Sequence, residues 1–143
     1  MLDEEMQMKL LIQERPWEKE PDLEEWVDEA TGYKCTVMRH ASLEHLNGYV
    51  AIPKGHKVWG KGEDVMDVDV HGGLTYSSVD KETDEWVLGF DCSHVDDFSP
   101  KLVLTLMKYT DSRLEHHTQG TYRTFEWVKE EVVKLAKQLG EME

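Results

Sequence analysis

The stretch FEWVKEEVVKLAKQL, Phe125 to Leu139, decides the architecture. Phe125, Val128, Val132, Leu135 and Leu139 step by 3, 4, 3 and 4 residues, which puts five apolar side chains on one stripe of an α-helix. Thr121 or Thr124 can cap its start and Gly140 its end. Glu126 sits early and Lys134 and Lys137 late, as the helix dipole prefers. A helix with one apolar stripe gains most of its stability by packing that stripe on something. The remainder of the chain must supply the surface.

Upstream, the periodicity is that of strands. Tyr33, Cys35, Val37 and Arg39 alternate with Lys34, Thr36 and Met38, Asn47-Gly48 reads as a turn, and Tyr49 to Ile52 reads as a second strand stopped by Pro53. A hairpin of 33–39 with 49–52 is the firmest pairing. Residues 53–63, with Pro53, Gly55, Gly60, Gly62 and Trp59, form a loop. Val65, Asp67, Asp69 and His71 then alternate with Met66, Val68 and Val70, the pattern of a half-buried strand. Gly72-Gly73 breaks it or permits a bulge, and Leu74 to Ser77 resumes it. After a polar turn at 80–85, Trp86 to Phe90 is apolar throughout, as in a central strand. A polar loop, 91–101, follows.

Nearer the start, Met6 to Ile12 suits a strand or a short helix, and Asp22 caps a short helix with Leu23, Trp26 and Val27 on one face. Residues 102–107 fit helix or strand, and 108–120, with His116-His117, fit a connection. The expectation is a single α+β domain over 1–143. An antiparallel sheet of four to five strands carries the C-terminal helix on one face, with the acidic residues 1–30 peripheral.

Composition sets limits. The chain has 143 residues and a net charge of -14, which opposes broad binding to phosphate backbones. No run of about 18 apolar residues exists to span a membrane, and the acidic start lacks the positive charge of a secretory signal. Two cysteines, Cys35 and Cys92, make no disulfide framework and read as reduced thiols of a cytosol. The charge is segregated: net -8 over 1–30, +4 over 31–62, -10 over 63–100 and zero over 101–143. The plainer reading is complementary faces of one surface; the sharper one is that residues 33–61 line a pocket for an anion.

Two stretches concentrate functional side chains: Asp67 to Tyr76, and Trp86 to Asp97. If they pair as antiparallel neighbours, His71 comes near the Asp91 to His94 end, and Gly72 and Gly73 let a ligand approach the backbone. The ligand-binding candidates are therefore His71, Gly72, Gly73, Thr75, Asp91, Cys92, His94 and Asp97, with Arg123 as a carboxylate partner or an anion contact. Candidate ligands for a divalent metal are Asp69, His71, Asp91 and His94, although no CxxC or HExxH spacing exists. Carboxylates beside Cys92 would raise its pKa and so oppose a thiolate nucleophile. The bland alternative is that Asp91 and Asp96 or Asp97 cap the loop backbone, with His71 and His94 bonded to it. Trp59 and Tyr76 read as core or lid residues sooner than stacking platforms.

The motifs Val70-His71-Gly72-Gly73-Leu74-Thr75-Tyr76 and Trp86-x-x-Gly89-Phe90-Asp91-Cys92-x-His94-x-x-Asp97 resemble those of a family of small uncharacterised bacteriophage and prophage proteins. Gly48 to Pro53, Gly55-His56 and Tyr122-Arg123 add to the resemblance, which covers about residues 32–139. It implies a phage-encoded accessory protein made in a bacterial cytosol, and no particular reaction. The function expected first is binding of a small anion, such as a nucleotide signal; the alternatives are metal-assisted hydrolysis of a phosphoester or nucleotide, with Asp69, His71, Asp91, His94 and Asp97 as ligands or acid–base groups, and an acidic interaction protein or DNA mimic.

Overall fold

A computed structural model describes residues 4–101, 104–105 and 120–143. The apolar stripe of the C-terminal segment is a helix, here α2 (Phe125–Gly140), that buries Phe125, Val128, Val132, Leu135, Ala136 and Leu139. Thr124 caps it, its hydroxyl accepting from the Trp127 amide at 3.2 Å. A second cap comes from far away in sequence: Glu20 Oε2 accepts from the Phe125 amide at 3.0 Å.

The helix lies on one face of a five-stranded antiparallel sheet built from β1 (Leu23–Val27), β2 (Lys34–Arg39), β3 (Leu46–Ile52), β4 (Tyr76–Val79) and β5 (Trp86–Asp91), in the order β1-β2-β3-β5-β4. Inward-facing Cys35, Val37, Leu46, Val50, Ile52, Leu88 and Phe90 meet the helix stripe in one core. Burying each large side chain contributes about 1.5–3 kcal/mol, so this α2–sheet contact dominates the fold. The α+β expectation stands, with five strands.

Three local expectations change, and one open choice is settled. Asn47-Gly48 is not a turn: Val37 pairs with Gly48 and Met38 with Asn47, so β3 starts at Leu46 and residues 40–45 make the connection. Glycine is needed at 48 for packing, since a Cβ there would lie 2.5 Å from Val132 Cγ2. The helix expected after Asp22 is strand β1, whose burial alternates with period two. Its inward residues lie under α2, where Lys129 pairs with Glu24 at 2.5 Å and sits 5.2 Å above the Trp26 ring. Residues 6–12, which suited either a strand or a short helix, fall within an α-helix, α1 (Glu4–Glu14). Arg15 then turns left-handed (φ 46°) before Pro16, which ends the helix. Finally, 66–70 keeps its expected alternation, with Met66, Val68 and Val70 turned inward, but joins no ladder. Its backbone bonds to a helix side chain instead: Gln138 Oε1 accepts from the Asp69 amide at 2.7 Å and Gln138 Nε2 donates to the Asp69 carbonyl at 2.8 Å.

A second cluster joins Met8, Trp17, Phe98 and Tyr122, with Leu11 and Ile12 against it. With β1 in the sheet and Glu20 on the end of α2, residues 8–27 are integral to the fold. The segments 102–103 and 106–119, including His116-His117, lie outside the described residues.

Candidate functional site

Three segments meet at one end of the sheet. The first is the turn at 70–73, closed by the Gly73 amide donating to the Val70 carbonyl at 2.8 Å, with Gly72 and Gly73 at φ 67° and 79°. The second is the loop after β5. The third is the strand-like approach to α2, tied to that loop by a parallel bridge of Asp97 with Thr121. Gly120 permits the tie, because a Cβ there would lie 2.5 Å from the Asp97 carbonyl carbon.

Asp97 is the hub. Its side chain is wholly buried. His71 Nε2 lies 2.8 Å from Oδ2 and 2.9 Å from Oδ1, Arg123 Nε donates to Oδ1 at 2.8 Å, and the His94 amide donates to Oδ2 at 3.0 Å. Burial alone would raise the Asp97 pKa; the hydrogen bonds from Arg123, His71 and the His94 amide outweigh it and hold the carboxyl below the usual carboxylate range. A carboxylate can only accept, so His71 Nε2 carries the proton of that bond.

The rings are fixed by packing. His71 stands edge-on to His94 at 5.3 Å and to Trp127 at 5.0 Å between centroids, and Arg123 lies 4.8 Å above the Trp127 ring. Glu131 accepts from the His71 amide at 2.9 Å. His94 Nε2 is buried and has no hydrogen-bond partner, although Asp91 Oδ1 lies 3.3 Å from it in poor alignment. One donor atom from each of His71, His94 and Asp97 lies within 4.8 Å of the other two, a grouping able to hold a metal ion.

The structure thus brings together His71, Gly72, Asp91, His94, Asp97 and Arg123. The others lie apart. Asp69 is exposed and pairs with Lys134 at 3.3 Å. Gly73 faces open space. Thr75 is exposed, and its amide donates to the Gly89 carbonyl at 2.9 Å. Cys92 packs in the main core, where burial and the Asp97 charge push its thiol pKa up. Both cysteines are free and buried. The loop-capping alternative is also realised in part, since Asp91 Oδ1 accepts from the Ser93 amide at 3.2 Å.

Sequence reading missed Trp127 and Glu131. With Lys134 and Gln138 they step by 4, 3 and 4, a second helical stripe beside the apolar one. All four face the 69–71 segment, through Asp69 or His71.

The basic block lies elsewhere. Arg39 is spent on Glu20, Asp22, Tyr122 and the carbonyls of Pro21 and Glu44, and His56 Nε2 bonds the Leu139 carbonyl at 2.8 Å. An open cavity of about 520 Å³ beside Arg39 is lined by Trp17, Glu18, Glu20, Asp22, Arg39, His40, Ala41 and Glu44, none of them in the His71 site. Its carboxylates suit no anion. The His71 cluster gathers the acid–base groups, and chemistry outranks cavity size in choosing between the two.

No helix among the described residues is long and apolar enough to cross a membrane. No family model, no curated protein and no solved structure matches the chain.

Proposed function

We propose that the protein is a hydrolase of a small phosphoester or nucleotide, working at His71, His94, Asp97 and Arg123. The carrying observation is that one wholly buried carboxylate, Asp97, holds an imidazole and a guanidinium at 2.8 Å each beside a second imidazole. Hydrolysis needs water deprotonated next to phosphorus and charge neutralised on the phosphoryl oxygens. The water oxygen bonds to phosphorus, its proton passes to the site, and the departing ester oxygen takes up a proton. His71, His94 and Asp97 serve the proton, either by exchanging it with the imidazoles or, where the three hold a metal ion, by making the water bound to that ion more acidic. Arg123 spends Nε on Asp97 and Nη2 on Asp96 at 3.2 Å; Nη1 has no partner among the described residues and suits a phosphoryl oxygen.

The test is an assay against bis(p-nitrophenyl) phosphate and a nucleotide panel, with and without added divalent metals. Turnover that falls about 100-fold or more in His71→Ala and Asp97→Asn is expected, the usual scale for acid–base groups. No turnover under any condition overturns the reading.

A second reading, binding of a small anionic ligand without catalysis, is favoured by the same Nη1. Native mass spectrometry against nucleotides would then detect a complex that needs Arg123. The sequence resemblance adds the setting of a phage-encoded accessory protein in a bacterial cytosol.

A further inference from the structure

We propose that His71, His94 and Asp97 together bind one divalent transition-metal ion of the zinc type. The inference rests on the hydrolase reading only for its purpose: the ion would be what activates the water. Its binding stands on separate observations.

The first is distance. Donors at about 2.0–2.2 Å from one ion lie no more than about 4.4 Å from each other. The three donors here already lie within 4.8 Å of one another, so small side-chain shifts close the set. Two imidazoles and one carboxylate leave a position for water, the pattern of catalytic zinc.

The second is an unspent nitrogen. His94 Nε2 is buried without a hydrogen-bond partner. Buried polar atoms are rarely left so, and each such atom calls for a reason; a metal ion supplies one. Glycine at 72 lets the His94 ring pack against the turn that carries His71, since a Cβ there would meet the ring well inside van der Waals contact.

The third is the surrounding support. Metal ligands are held by outer hydrogen bonds that fix their orientation. Arg123 Nε holds Asp97 Oδ1, and Glu131 holds the backbone of His71. Around the three donors stand the carboxylates of Asp91, Asp96 and Glu131, against the cations of Arg123 and Lys134, the latter 3.8 Å from Glu131. With Asp97 itself the carboxylates remain in excess, and a divalent cation offsets that excess.

Without the ion, His71 Nε2 donates to Asp97. If the ion takes Nε2 it replaces that hydrogen bond: the ring ligates as the neutral imidazole with its proton on Nδ1, so the Nε2 proton leaves to solvent and a neutral ring takes one up at Nδ1.

The experiment titrates the metal-free full chain with Co²⁺ and Zn²⁺, read by visible absorption and calorimetry. One equivalent of Co²⁺ giving low-symmetry visible bands, displaced by Zn²⁺, is expected. His94→Ala and Asp97→Asn, checked for native circular dichroism, should abolish the bands. Arg123→Met should weaken affinity about 10- to 100-fold, as loss of an outer support does. A double variant of His116 and His117 to Ala should bind as the parent does. Absence of saturable binding at tens of micromolar overturns the inference, as does binding that survives His94→Ala or is lost with His116 and His117. Stoichiometric metal without turnover sinks only the hydrolase reading; turnover undiminished by chelation sinks only the metal.

Discussion

Gly72 stands against the imidazole of His94, with no room between them for a Cβ. Residue 72 is also left-handed, at φ 67°. Gly72→Ala therefore meets two penalties, backbone strain of about 1–3 kcal/mol and a clash with a ring that has little freedom. Gly73, at φ 79°, faces open space and meets only the first. Urea unfolding should show Gly72→Ala less stable than Gly73→Ala, and only Gly72→Ala should impair metal or ligand uptake. Equal effects would mean that contact with His94 is unimportant.

Arg39 should be the costliest surface-proximal charge to remove. Its side chain is 7% exposed and reaches Glu20, Asp22 and Tyr122, and Glu20 in turn caps α2. Breaking a buried ion pair from one side costs about 3–5 kcal/mol. Arg39→Met should fall in that range in chemical denaturation, while Tyr122→Phe, which loses a hydroxyl to Glu20 and Arg39, should cost about 1–2 kcal/mol. A loss under 1 kcal/mol for Arg39→Met would show that β1 and α2 do not depend on this network.

Stability should fall between neutral pH and pH 5.5, in part through His45. Burial first, and then the charge of His40 stacked 4.9 Å away, lower the His45 pKa; Asp91, Asn47 and the Leu46 backbone oppose them in part. The unfolded imidazole takes up a proton near pH 6.5 while the folded one stays neutral. The unfolded state then binds more protons, so stability is full above that pH and declines as pH falls toward the folded pKa. Unfolding midpoints at pH 7.5 and 5.5 should differ less in His45→Gln than in the parent. An identical acid loss would assign the effect to other groups.

Both thiols should be silent in the native protein. Burial, with a smaller contribution from Asp28, pushes the Cys35 pKa up to about 12, and burial raises that of Cys92 as well. Ellman's reagent should titrate none of the two in buffer and both in denaturant. Rapid native reaction at Cys92 would place it on the surface instead of in the core.

Much of the sheet was legible because local pattern and burial agree there. The α2 stripe and strand β2 report burial through their periodicity, the run at Trp86–Phe90 through its unbroken apolar character, and the polar residues 80–85 mark the turn between strands. The failures share one cause: a distant element overrode a local signal. Asn47-Gly48 has turn chemistry, but Val132 and Phe90 need the glycine's missing Cβ inside a strand. Leu23 to Val27 can be arranged on a helix face, but β2 offers a ladder. The 66–70 segment alternates like a strand, but Gln138 takes its backbone.

The site divides in the same way. Sequence by itself determined which side chains were chemically able, His71, His94, Asp97 and Arg123 among them, and that His71 would come near the Asp91 to His94 end if the two motif-bearing segments paired. It could not determine which carboxylate becomes the hub. Asp69, Asp91, Asp96 and Asp97 are equivalent as residue types; only the Asp97–Thr121 bridge, closed over Gly120, buries Asp97 and delivers Arg123 to it. Asp69, two residues from His71 in the chain, is turned to solvent and Lys134. Local periodicity sets which way a residue faces; contact between segments far apart in sequence sets what it meets there, and the chemistry of a site is a property of the second.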